Sequence, residues 1–69
     1  MRVDEMKPGD LVQTRRKAIL LSNHTRAPVS RMVIDKNKVG IIISDEIVFM
    51  LIVIGGHIGL IHRDDLKRI

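Results

Sequence analysis

The chain has 69 residues, no cysteine, and a net charge of +4 from 12 Lys+Arg against 8 Asp+Glu. This length supports one small domain, and such a domain buries only about 60% of the surface that its unfolded chain exposes. Disulfides and Cys-type zinc sites are excluded as staples, which leaves oligomerisation or docking on a partner to supplement the core.

The absence of cysteine fits a reducing compartment. The N-terminus carries Asp4 and Glu5 where a secretory leader needs an apolar stretch. The longest apolar run, Ile47 to Ile54, falls well short of the roughly 20 residues of a membrane-spanning helix. A soluble protein is expected.

Along the chain, Val and Ile recur in short runs between turn signals, without a sustained 3.6-residue period. Lys7-Pro8-Gly9-Asp10 predicts a turn, with proline fixing φ and glycine accepting positive φ. A strand over Asp10–Arg15 follows. Residues 16–30 contain Asn23, Thr25, Pro28 and Ser30 and read as a long loop, although Ala18-Ile19-Leu20-Leu21 is apolar enough to pack. Long loops in tiny domains are more often functional than idle.

The basic character gathers here. Residues 11–38 hold seven bases, Arg15, Arg16, Lys17, Arg26, Arg31, Lys36 and Lys38, against Asp35 alone, and the flanking segments are each slightly acidic. A basic loop formed by Arg15, Arg16, Lys17, Arg26 and Arg31 favours nucleic acid or an acidic protein surface. The alternative is a solvated loop kept soluble by its charge.

Arg31–Ile34 predicts a second strand, Asp35–Lys38 a hairpin turn, and Val39–Ile43 a third strand. Ser44–Glu46 turns the chain into a fourth, Ile47–Ile54. Gly55-Gly56 suits a tight primed turn, His57–His62 returns as a fifth strand, and Arg63–Leu66 forms a single helical turn. Lys67–Ile69 closes as a short last strand. The expected fold is mostly β: a small barrel of five to six short antiparallel strands. Leu11, Val33, Ile41, Ile43, Val53, Ile58 and Leu66 are expected in its core.

The fourth predicted strand is unusual because every position in it is apolar. Such runs occur where both faces are covered, and a chain this short has little left to cover an outer face. Either residues 16–22 fold back over it or another molecule covers it, since large apolar patches are rare on monomers. Ile47, Phe49, Leu51 and Val53 share one face, and Val48, Met50, Ile52 and Ile54 share the other. The only large ring suits the core, so the Phe49 set is expected inward. Val48, Met50, Ile52 and Ile54 are then expected to meet a second copy or a different protein.

Catalytic and metal chemistry find little support. His57 and His62 are separated by an odd number of strand positions, which puts them on opposite faces and prevents a shared metal. Asp64-Asp65 reads as a solvated cap of the helical turn. Ser22, Ser30 and Ser44 lie in no nucleophile-elbow pattern. Gly55-Gly56-His57-Ile58-Gly59 leads into a strand rather than a helix, so it reads as a hairpin and not a phosphate loop. No enzyme activity and no cofactor or metal are expected. With Phe49 the one aromatic and expected inside, single-strand recognition by stacking is disfavoured, while phosphate contacts by the basic loop stay open.

Three segments together carry a resemblance: Met6-Lys7-Pro8-Gly9-Asp10-Leu11-Val12, Val39-Gly40-Ile41-Ile42-Ile43, and Ile58-Gly59-Leu60-Ile61-His62-Arg63-Asp64-Asp65-Leu66. The chain resembles small proteins of tailed bacteriophages that begin Met-Lys-x-Gly-Asp-Leu-Val and end near Ile-Gly-Trp-x-His-x-x-Asp-Leu. The resemblance covers about half of the chain and implies an SH3-like barrel over residues 6–69. It further implies a flexible arm over residues 1–5 and a virion-associated or accessory role in the particle, assembled in the bacterial host cytoplasm. Leu60 stands where that family usually has Trp, which speaks against an aromatic peptide groove.

Overall fold

The computed structural model describes residues 6–22 and 30–69. These form a mostly β domain with seven strands: β1 (Leu11–Thr14), β2 (Ala18–Ser22), β3 (Arg31–Ile34), β4 (Val39–Glu46), β5 (Phe49–Ile54), β6 (His57–His62) and β7 (Leu66–Arg68). A 3-10 turn, Arg63–Asp65, precedes β7 as expected. All pairings are antiparallel in one open sheet of order β3-β2-β6-β5-β4-β1-β7.

The additional strand is β2, inside the segment read as a loop over 16–30. Its apolar run pairs with β3 over Ala18–Leu21 and with β6 at Leu21 and Ser22. The expectations for residues 1–5 and for Arg26 lie outside the described residues.

Local chemistry accounts for the turns. Asp10 donates its N–H to the Lys7 carbonyl at 3.0 Å around Gly9 at φ 92°, the type II geometry that Pro-Gly predicts. Gly55 and Gly56 both hold positive φ, as a primed hairpin requires. At the β3–β4 turn, Thr14 is fully buried and acts from β1: its hydroxyl donates to the Asp35 carbonyl at 2.7 Å and accepts from the Lys38 N–H at 2.9 Å. The predicted Ile47–Ile54 strand begins two residues later, at Phe49. Ile47 instead centres a γ-turn at φ 74°, with Val48 donating to the Glu46 carbonyl at 3.0 Å. That backbone is strained for a β-branched residue.

Among the described residues no second layer covers the sheet, which buries one face by curling on itself, and every strand contributes to one interior cluster. Val12, Ala18, Leu20, Ile34, Ile42, Met50, Ile52, Ile54, Ile61 and Leu66 are its members from the strands, with Met6 ahead of β1. Gly59 permits the tightest approach, because a Cβ there would lie 2.5 Å from the Leu21 carbonyl oxygen on β2.

The core is therefore the opposite face from the one expected. Of the expected set only Leu66 is buried; Leu11, Val33, Ile41, Ile43 and Ile58 are exposed and Val53 is half-buried. Likewise Met50, Ile52 and Ile54, expected at an interface, are interior, and Val48 lies exposed in the β4–β5 turn. Phe49, expected inside, is half-buried on the outer face. The reason is steric. A Cβ at Gly40 or Gly59 would lie 2.7 or 2.5 Å from a backbone oxygen of the neighbouring strand, so the concave side takes the set that includes Ala18, Gly40 and Gly59.

Candidate functional site

The outer face of the sheet is apolar across its width. The strand registers align Leu11 with Ile41, Ile41 with Val53, and Val53 with Ile58, which makes one row over β1, β4, β5 and β6. Leu11, Ile41 and Ile58 are 49%, 48% and 57% exposed, so this row meets solvent rather than a covering element. Ile69 extends it, since its N–H donates to the Leu11 carbonyl at 3.1 Å and its side chain is exposed. A second row runs Leu51, Leu60 and Leu21 over β5, β6 and β2. Between Ile42 and Ser44 a bulge in β4 adds a residue, and Ile43 lies exposed there.

At one end of this face Phe49 pairs across the strands with His62, their rings 5.5 Å apart and 75° to each other. His62 also holds the 3-10 turn: its Nδ1 accepts the Asp64 N–H at 3.1 Å. The cap is thus His62, not the adjacent acids. Asp65 pairs with Arg16, its Oδ1 3.4 Å from Nε, and Arg16 also donates to the Asp64 carbonyl at 3.3 Å. Arg63 clamps the strained turn through its N–H to Val48 and its guanidinium to the Ile47 carbonyl.

The basic residues divide between two concavities. Arg15, Arg16 and Lys17 form the β1–β2 connection, and Arg31 begins β3. Lys17 and Arg31 share a shallow groove of about 340 Å³ with Phe49 and His62. Arg15 instead borders a larger cleft, about 520 Å³, together with Arg63, Lys67 and Arg68. Sequence reasoning did not join these last three to the basic set, because the acids beside them make the C-terminal segment look neutral. Their signal was β7 itself, which pairs with β1 and brings residues 66–68 against the Arg15 end.

Among the described residues no three His, Asp or Glu side chains converge as metal ligands, and no helix is long and apolar enough to cross a membrane. No protein-family model, curated protein or solved structure matches the chain.

Proposed function

We propose that this chain is a non-enzymatic docking protein that binds another protein through the outer face of its sheet. The single observation that carries the reading is the solvent-facing row Leu11–Ile41–Val53–Ile58. An apolar surface crossing four strands has a hydrophobic cost in water that a partner removes, at about 25 cal/mol per Å². The resemblance to small tailed-phage proteins supports placing the partner in a phage particle, as a capsid, neck or tail component. The chain would then be a virion structural or accessory protein.

The test is Ile41→Lys. The ammonium of the free protein extends into water, whereas at a closed apolar contact it is buried without a partner. Circular dichroism is expected to be unchanged and incorporation into purified particles, read by mass spectrometry, to be lost. Normal incorporation of the folded variant would remove this face from the interface. Absence of the wild-type chain from particles would remove the virion assignment.

A further inference from the structure

Beyond protein docking, we infer a second binding site: a polyanion track that takes single-stranded nucleic acid along the β1–β2 connection and β7. Two concavities lie on either side of this connection. Among the described residues the larger cleft is lined by Arg15, Arg63, Lys67 and Arg68, with Asp64 as its one acid. The smaller groove holds Lys17 and Arg31, with Asp65 also on its lining. Arg16 lies between them in sequence, its guanidinium already neutralised by Asp65. Among the described residues Arg15, Lys17, Arg31, Arg63 and Lys67 have no ion-pair partner. These five cations line the two concavities without a compensating charge, and a polyanion that they neutralise gains by releasing its own condensed counterions.

The chemistry selects the ligand class. Arginine forks suit phosphate oxygens, and cations spread over two successive concavities suit a polymer with a repeated charge rather than one anion. The smaller groove adds the one aromatic side chain of the chain, Phe49, beside His62. Phe49 is half-buried on the outer face, not in the core, so a ring is present beside the cations on which an unstacked base can rest. The cleft itself offers no aromatic ring and no base-reading pattern, so binding is expected to be indifferent to sequence.

The experiment is fluorescence anisotropy of the whole chain with a labelled oligothymidylate of about 12 nucleotides, within the span of small barrels. Five phosphate contacts on a single strand predict an affinity that falls about 100-fold between about 50 and about 200 mM salt. Lys67→Glu and Arg15→Glu are each expected to weaken binding at least tenfold, Phe49→Leu about fivefold, and Lys36→Glu, at the β3–β4 turn, less than twofold. No binding at the lower salt overturns the proposal. So does an equal loss with Lys36→Glu, which would mean that net charge alone acts. Equal affinity for polyglutamate of the same charge, with Phe49→Leu neutral, would assign the track to acidic protein instead. Circular dichroism of each variant verifies that folding is intact, and the docking test on Ile41 is unaffected by either result.

Discussion

Ile52→Ala and Ile41→Ala remove the same atoms from adjacent strands but from opposite faces of one sheet. Ile52 is completely buried, whereas Ile41 is 48% exposed. At about 0.8 kcal/mol per buried CH₂, truncating Ile52 loses about 2.5 kcal/mol of transfer free energy, and the cavity left behind takes the total towards 4. Truncating Ile41 leaves no enclosed cavity and loses about 1 kcal/mol. A domain of this size is stable by about 5 kcal/mol, so the first change removes most of its margin and the second a fraction. Urea titration followed by far-ultraviolet circular dichroism reads the difference directly, since the chain has no Trp or Tyr for fluorescence. The midpoint of Ile52→Ala is expected to collapse while that of Ile41→Ala falls modestly, both with the m-value little changed. Equal losses, or a larger one for Ile41→Ala, would refute the assignment of the faces.

Thr14→Val keeps the shape of a fully buried side chain but orphans the Asp35 carbonyl and the Lys38 N–H. The expected cost is about 2 kcal/mol, seen as a fall in Tm of roughly 10 °C. Gly59→Ala sets a methyl group 2.5 Å from the Leu21 carbonyl oxygen; the β2–β6 pairing opens, and hydrogen exchange at Leu21 and Leu60, which face each other across it, accelerates before the rest of the sheet. Ile47→Gly relieves the positive-φ strain at an exposed position and raises stability by up to about 1 kcal/mol in thermal melts, although the unfolded chain also gains freedom.

Much of the fold was legible because turns are local. Pro8-Gly9, Gly55-Gly56 and the β-branched runs between them place the hairpins without any knowledge of partners. The faces were not legible, because alternation assigns a face only when one of the two is polar. Around Ile41 and Ile52 both are apolar, and a one-residue choice exchanges the whole set. The glycines held the missing signal: Gly40 shares its parity with Ile42, and Gly59 with Ile61, and small residues belong on the crowded side of a curl. β2 escaped detection because its run is brief and flanked by Lys17 and Asn23. The cleft escaped because its cations come from opposite ends of the chain and meet only through the β1–β7 pairing.

That pairing also sets an order of assembly. The strands β4, β5 and β6 are consecutive and joined by two-residue turns, so they form a meander whose contacts close quickly. β1 lies between β4 and β7, and its second neighbour is the last of these seven strands in chain order. Loop closure over almost the whole described chain must therefore be completed before Val12 and Thr14 are flanked on both sides. Folding of this kind runs in milliseconds to seconds rather than microseconds. On the ribosome, the meander exists while one edge of β1 still waits for its neighbour, and until β7 emerges a row of backbone donors and acceptors stays open to any passing strand.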